Sequence, residues 1–411
     1  MKKYWDDPYV TTFEAKIVDV LENGDRFGVV LDGTYFFPEG GGQPSDRGSL
    51  ASYPVSDVQE ADGVVVHFLE RSGKASEHLV KGTTIACEID KGFRTNNMRL
   101  HTACHLLFGA ARQMFPHVNY AGFNIGKLGN LYLETGRQIT AEQLREMQLL
   151  ANECVVDNRP ISSYWVETQK AARLPGLAYN LELPEKQVRI IDIDGWDVAA
   201  CSGTHLHNTV EIGPIKVVAR EIHKKNVTRI DYAVGKPAVA AIAEDDKVAG
   251  ETAVFLGTSK DQLNQIVRKL SSDLQGTQKS LRELRKMVME YKSQELLRGG
   301  ETIEGTQLIV TAADYLDAKS LRTFVAQLVA QRDSLVAVVL GGEDELTVVA
   351  ACSQNVNINL VEPIVHVAGK YGGGGGGRPN FVSAGGIKGA IQAIQNDVES
   401  ELKRRLQNAP K

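Results

Sequence analysis

The sequence has 411 residues and a mass of 44.9 kDa, which predicts two to four domains. Hydrophobic residues make up 43% and charged residues 24%, a composition typical of a folded globular protein and not of a disordered one. No run approaches the roughly 18 apolar residues of a membrane span, so we expect no membrane partner. Because the net charge is −5, any binding of nucleic acid must use a local basic face.

Cysteine usage and the N-terminus both favour the cytoplasm. The five cysteines are a sparse, odd-numbered set, which argues against a disulfide framework. No apolar segment follows Lys2 and Lys3, so we expect no secretory signal.

Four domains are predicted, and together they define an α+β protein. Residues 1–92 contain short β patterns such as residues 64–69 and are interpreted as a small β-barrel-like domain with a glycine-rich loop. Residues 93–240 are interpreted as an α+β domain. Its predicted helices lie at 94–115 and 141–157, and its predicted strands at 188–193, 215–218 and 228–232.

The remaining two domains are a helical linker, residues 241–300, and a small α/β domain, residues 301–411. In the linker, eight of nine positions in two heptad rows are apolar, which is typical of a coiled coil or a helical hairpin. The rows are Leu263, Leu270, Thr277, Leu284 and Tyr291, and Val267, Leu274, Leu281 and Val288. The α/β domain is predicted to have strands near 308, 337 and 348, helices at 317–333 and 388–407, and a glycine-rich loop.

Two pairs of side chains have the spacing of metal ligands. His101 and His105 lie one turn apart on a predicted helix, and Cys201 and His205 follow a predicted strand. Either pair alone has a plainer interpretation, since a buried cysteine usually only packs. Together they form an N/S set that suits one Zn²⁺ per chain, either closed and structural or open and catalytic.

A glycine-rich segment in the first domain is a second candidate site. Gly40, Gly41 and Gly42 precede Gln43, and glycines allow a backbone to approach a ligand closely. An ordinary turn is the alternative interpretation.

These segments resemble a known family. Residues 41–48 (GGQPSDRG), 101–107 (HTACHLL) and 201–205 (CSGTH) resemble the editing domain of alanyl-tRNA synthetase and its free-standing AlaX relatives. Residues 372–379 (GGGGGGRP) and 384–386 (AGG) resemble the synthetase C-terminal domain, a combination similar to the large form of AlaX. Ser202 and Cys104 depart from the usual glycine and threonine but leave the ligand positions intact.

The resemblance implies that His101, His105, Cys201 and His205 bind zinc. It also implies a cytoplasmic hydrolase that cleaves the ester between alanine tRNA and a wrong amino acid, serine or possibly glycine, while sparing alanine. Rejecting alanine requires a pocket that hydrogen-bonds the serine hydroxyl, which can discriminate by about 10⁴-fold.

The candidate catalytic residues are the polar side chains near the motifs, Gln43, Thr34 and Thr102. The glycines at 40–42 are candidates for contacts with the substrate. The resemblance implies tRNA binding by the C-terminal glycine run, for which Gly375, Gly376, Gly377 and Arg378 are the candidates. The helical and C-terminal regions are expected to form a homodimer.

Three alternatives stay open at this point. The first is a non-catalytic tRNA-binding protein with a structural zinc site. The second is a detached editing half of a synthetase, against which the initial Met1 argues. The third is an unrelated zinc hydrolase, which would have no use for residues 255–411.

Overall fold

The structure is a computed structural model that describes residues 1–23, 26–70, 78–171, 173–178, 186–224, 226–342 and 345–408. It divides into two compact units, Met1–Leu263 and Asn264–Lys411. The predicted α+β class is confirmed. The four finer domain boundaries stay predictions.

The first unit begins with a closed six-stranded barrel. Its strands are β1 (Thr12–Asn23), β2 (Arg26–Leu31), β3 (Gly48–Leu50), β4 (Tyr53–Ala61), β5 (Val64–Glu70) and β6 (Thr84–Ile89). They pair in the order β1-β2-β5-β4-β3-β6, and β6 pairs back with β1. Alternating apolar side chains such as Ile17, Val29 and Leu69 fill its interior. The barrel predicted for the N-terminal region is therefore present.

Helix α1 (Lys91–Met114) follows the barrel directly. It begins at Asp90, whose carboxylate accepts a hydrogen bond from the Phe93 backbone N–H at 3.0 Å. Every residue from Leu100 to Ala111 is buried, so this helix is surrounded by protein on all sides. That environment places His101 and His105 in the interior.

Two four-stranded sheets accompany α1. The remaining elements of this unit are β7 (Asn119–Ile125), β8 (Gly129–Glu134), α2 (Ala141–Val156), β9 (Ile161–Glu167), α3 (Thr168–Ala171), β10 (Leu177–Ala178), β11 (Gln187–Ile193), β12 (Asp197–Ala200), β13 (Ile215–Lys224), β14 (Val227–Val234) and α4 (Gly235–Phe255). The strand orders are β13-β14-β8-β7 and β10-β12-β11-β9.

The second unit is a six-stranded mixed sheet with helices. Its elements are α5 (Leu263–Gly299), β15 (Glu301–Ile303), β16 (Thr306–Ala312), α6 (Ala318–Val329), β17 (Leu335–Gly341), β18 (Leu346–Cys352), α7 (Val361–Lys370), β19 (Gly374–Arg378), β20 (Phe381–Ile387) and α8 (Ile391–Gln407). The order is β15-β16-β17-β18-β20-β19, and the central strand β17 is buried along its whole length.

The glycine run of the second unit corrects one prediction. Residues 374–378 form β19, an exposed strand at the edge of the sheet, and not a loop. It pairs with β20 in antiparallel register, with Gly376 opposite Ser383. The candidates Gly375, Gly376, Gly377 and Arg378 therefore lie on a sheet edge, and their contact with RNA stays a prediction.

The predicted helical linker corresponds to α4 and α5. Eight of its nine heptad residues are exposed: Val267, Leu270, Leu274, Thr277, Leu281, Leu284, Val288 and Tyr291. Among the described residues, no helix is long and apolar enough to cross a membrane.

Candidate metal centre

Four side chains converge between α1 and the loop after β12. The candidate ligand atoms of His101, His105, Cys201 and His205 all lie within 4.8 Å of one another. Cys201 Sγ is 3.4 Å from His101 Nε2 and 3.3 Å from His205 Nε2. The structure thus brings together both predicted pairs as a cluster that could hold a metal ion. A set of three imidazoles and one thiolate has the chemistry that Zn²⁺ prefers.

Each histidine of the cluster uses its second ring nitrogen for an outer contact. His101 Nδ1 lies 2.9 Å from Gln43 Oε1, His105 Nδ1 2.9 Å from Asp197 Oδ2, and His205 Nδ1 3.4 Å from Thr102 Oγ1. Such contacts fix the ring orientation and leave Nε2 for a metal, as in characterised metal sites.

Gln43 positions His101 from the glycine-rich segment. Its side chain is fully buried, its Nε2 donates to Thr204 Oγ1 at 2.8 Å, and its Oε1 accepts the Thr204 backbone N–H at 3.1 Å. These contacts orient the amide so that its oxygen faces His101. Gln43 therefore connects the glycine-rich segment to His101 and to the loop at Thr204.

Gly203 leaves the space that the contact between Gln43 and His101 requires. A Cβ at Gly203 would lie 2.2 Å from His101 Cε1 and 3.0 Å from Gln43 Oε1. Only glycine allows the loop between Cys201 and His205 to pass so close to the imidazole.

Thr102 is fully buried on α1 and holds the other end of the same loop. Its hydroxyl accepts the Leu206 backbone N–H at 3.3 Å and lies beside His205. Thr102 therefore connects α1 to the loop at His205 and Leu206.

The loop between Cys201 and His205 is held from outside as well. Arg189 Nη1 donates to the backbone oxygens of Gly203 and Cys201 at 2.8 and 3.2 Å. Trp5 Nε1 donates to the Ser202 backbone oxygen at 2.7 Å. These contacts fix the loop without using a ligand atom.

Electrostatics favour a thiolate within this cluster. Burial opposes ionisation of Cys201, but the imidazoles of His101 and His205 outweigh it and hold the pKa of the thiol well below its usual value. Burial also lowers the pKa of His105, but its hydrogen bonds to Asp197 and Cys201 raise that pKa to about 10. The pKa of His205 falls to about 3, chiefly through burial.

Asp197 and Arg112 form the outer contact of His105. The Asp197 carboxylate is buried, and its second oxygen accepts a hydrogen bond from Arg112 Nη1 at 3.2 Å. Sequence analysis did not select Asp197, because its partner lies 92 residues away on α1. The sequence feature that could have indicated it is an acidic residue, Asp197, at the start of the otherwise apolar strand β12.

Replacing Asp197 by asparagine is expected to weaken zinc binding by about 10- to 100-fold, because the side chain keeps its shape but loses the charge that supports His105. Competition with a chromogenic zinc chelator measures this affinity. Asp194→Asn, at an exposed position on the preceding turn, is the control and should bind like wild type. Equal affinities for the two variants would contradict the expectation.

Thr34 lies in the segment between β2 and β3, and its hydrogen bonds join no residue of the metal-ligand cluster. Its hydroxyl accepts the Phe36 backbone N–H at 3.0 Å and donates to His67 Nε2 at 2.8 Å, while His67 Nδ1 donates to the Val29 backbone oxygen. A pocket role for Thr34 stays a prediction, and it would require this bond to His67 to be exchanged.

The buried His67 is expected to make folding stability depend on pH. Burial lowers its pKa from 6.5 to about 4, so the folded state favours the neutral ring. Stability is full above pH 6.5 and falls as the pH drops towards 4, by about 3 kcal/mol in total. Urea denaturation at pH 7.5 and 4.5 should show a clearly smaller loss for His67→Gln than for wild type. An identical loss in both proteins would show that His67 is not responsible.

The glycine-rich segment forms a tight turn beside the cluster. Gly40 and Gln43 exchange backbone hydrogen bonds at 3.0 and 3.1 Å, and Gly42 accepts from the Ile125 backbone N–H at 2.9 Å. At Gly42 φ is +80°, and a Cβ would lie 2.2 Å from the Phe123 backbone oxygen. The Gly40 N–H is thus used within the turn, which leaves the exposed Gly41 as the glycine most open to a ligand.

Three segments of the chain, which include residues of the barrel and of the cluster, match known protein families. Residues 8–93 match the family "tRNA synthetases class II (A)", residues 188–231 the "Threonyl and Alanyl tRNA synthetase second additional domain", and residues 305–404 the "DHHA1 domain". Gln43 lies in the first match, and Cys201 and His205 lie in the second.

The curated proteins to which the chain is similar include alanine–tRNA ligases. The chain is 29% identical to the alanine–tRNA ligase of Methanococcoides burtonii over 98% of this chain and 44% of that protein. It is 34% identical to the alanine–tRNA ligase of Natronomonas pharaonis over 94% of this chain and 42% of that protein. The chain thus spans less than half the length of these relatives. The resemblance to the editing and C-terminal domains of alanyl-tRNA synthetase is confirmed.

Among solved structures, one match is the C-Ala domain of Aquifex aeolicus alanyl-tRNA synthetase. It is 23% identical and covers 27% of this chain and 99% of that one, with a TM-score of 0.24.

Proposed function

We propose that this protein is a cytoplasmic, zinc-dependent hydrolase that removes serine, and possibly glycine, from mischarged alanine tRNA while sparing alanine. The observation that carries the proposal is the convergence of four ligand side chains whose three imidazoles are each oriented by an outer partner. The relationship to alanyl-tRNA synthetase supplies the substrate class.

One zinc ion would be held by His101, His105, Cys201 and His205, and it would supply Lewis-acid chemistry for ester cleavage. Cys201 is the least buried of the four, and the exposed Ser202 follows it, so the substrate is proposed to enter from this side. Gly41 lies across the entrance from Ser202, since a Cβ there would be 3.5 Å from Ser202 Oγ. Its backbone is proposed to contact the terminal ribose or the ester.

Selectivity for serine requires that a buried polar group be satisfied by the substrate hydroxyl and left unpaired by alanine. Gln43 and Thr102 contribute by holding His101 and His205 in place, so small errors in their positions would propagate to the substrate. We therefore assign these two residues to positioning, and Thr34 remains a candidate for lining the pocket.

The second unit is proposed to bind the tRNA body and to pair two copies of the chain. The exposed edge of β19 with Arg378 can approach phosphates, because its glycines present bare backbone. The exposed apolar stripe on α5 can bury itself against a second copy. Sedimentation of wild type and Leu274→Lys tests the pairing: a dimer that dissociates in the variant supports it, and a monomeric wild type contradicts it.

The catalytic proposal is tested by comparing three esters of alanine tRNA, those of serine, glycine and alanine. The serine ester should be cleaved much faster than the alanine ester. If the tRNA binds but no ester is cleaved, the alternative function, a non-catalytic tRNA-binding protein with a structural zinc site, replaces the proposal.

A further inference from the structure

Two of the three tryptophans of the chain lie in contact beside the candidate metal centre. The ring centroids of Trp5 and Trp165 are 5.0 Å apart, with an interplanar angle of 73°. Trp165 belongs to β9, the edge strand of its sheet, and 46% of its surface is exposed. An indole exposed to this extent presents an aromatic surface to solvent. The pair is called the tryptophan platform below.

The platform is connected to the loop that carries the ligands. Trp165 lies opposite Arg189 in the β9–β11 pairing, so both side chains project from the same face of the sheet. Arg189 holds the backbone of Cys201 and Gly203, and the Trp5 indole N–H donates to the Ser202 oxygen. The platform is therefore built onto the entrance side of the cluster, where Ser202 is exposed.

A lysine side chain lies over one of the two indole rings. Lys2 Nζ lies 4.9 Å from the centroid of the Trp5 ring and pairs with Glu60. In a chain of net charge −5, the overall field does not attract nucleic acid. Stacking on an aromatic face does not depend on that field and tolerates any base, because every base has a π-face.

We propose that the tryptophan platform stacks an unpaired nucleotide at the 3′ end of the tRNA and so directs the aminoacyl ester into the metal centre. This inference rests on the proposed function for the identity of the RNA. The occupant is an unpaired end and not a duplex, because the exposed face of a single indole accommodates one base rather than a helical groove.

Binding of a short, fluorescein-labelled single-stranded RNA to the full chain tests the platform by anisotropy. Trp165→Ala is expected to weaken binding by about 5- to 150-fold, the loss of one stacked base. Trp165→Phe keeps an aromatic ring, although a smaller one, and should lose less RNA affinity than Trp165→Ala. Tyr315→Ala removes another exposed aromatic, 39% exposed, in the second unit and should bind like wild type.

Wild-type affinity in Trp165→Ala, with an unchanged thermal transition, would overturn the proposal. Because the RNA carries no amino acid, this outcome does not depend on hydrolysis. Failure of the platform and failure of the deacylase proposal are therefore distinguished.

Discussion

Replacing Cys201 by alanine is expected to empty the metal centre and lower deacylation of the serine ester by more than about 100-fold. The loss should exceed that of an outer contact, because a ligand atom itself disappears. Cys201 Sγ lies within 3.4 Å of two imidazole nitrogens, and no other described thiol belongs to the cluster. Metal content by elemental analysis and initial rates of deacylation measure the two effects.

Cys352→Ala is the matched control, since it removes a buried free thiol in the second unit. It should keep both metal and activity. If Cys201→Ala retained the metal content and rate of wild type, the assignment of Cys201 as a ligand would be wrong.

Removing the Asp46 carboxylate is expected to destabilise the first unit by about 3–5 kcal/mol. Asp46 and Arg94 are both almost completely buried, and Arg94 Nε lies 3.0 Å from each Asp46 oxygen. Arg94 also donates to the Pro8 backbone oxygen at 2.7 Å, and Asp46 accepts from the Phe37 N–H. Asp46→Ala would leave the buried Arg94 guanidinium without its counter-ion. The contact between the barrel and α1 would be weaker as a result.

Urea denaturation of Asp46→Ala and Asp157→Ala compares the free-energy cost of losing a buried ion pair with that of losing an exposed one. Asp157 pairs with Arg159 at 2.8 Å, but its side chain is 52% exposed. Its loss should therefore cost less than about 1 kcal/mol. Similar costs for the two substitutions would contradict the role given to the buried pair.

The ligand pairs could be predicted from the sequence because each pair is local. His101 and His105 are one helical turn apart, and Cys201 and His205 lie in one loop. Their outer partners could not be predicted, since the contact of Gln43 with His101 joins residues 58 apart and depends on how the barrel packs on α1. The spacing therefore predicted the two pairs that form the cluster, but not the contact of Gln43 with His101.

Strands were predicted where side-chain alternation is clear and missed where it is broken. In β7 the register shifts between Tyr120 and Gly122, which interrupts the period of two. In β19 four consecutive glycines carry no side-chain pattern at all, so the sequence favoured a loop. In both segments the neighbouring strand, and not the local sequence, determines the β conformation.

The exposed apolar rows of α5 illustrate a different limit. The heptad pattern predicted a coiled coil or a helical hairpin, and residues 263–299 form one long helix, α5. A pattern does not identify the partner of an apolar face, and most of these side chains are exposed within the single chain. Pairing of two copies consequently stays a prediction that solution measurements must decide.

The most direct test of the central claim is deacylation of alanine tRNA charged with serine before and after removal of the metal. We expect rapid cleavage by the purified protein, loss of cleavage after dialysis against a chelator, and recovery when zinc is added back. The same tRNA charged with alanine should remain intact throughout. Cleavage that persists in the fully metal-depleted protein, or no cleavage with zinc bound, would contradict the account.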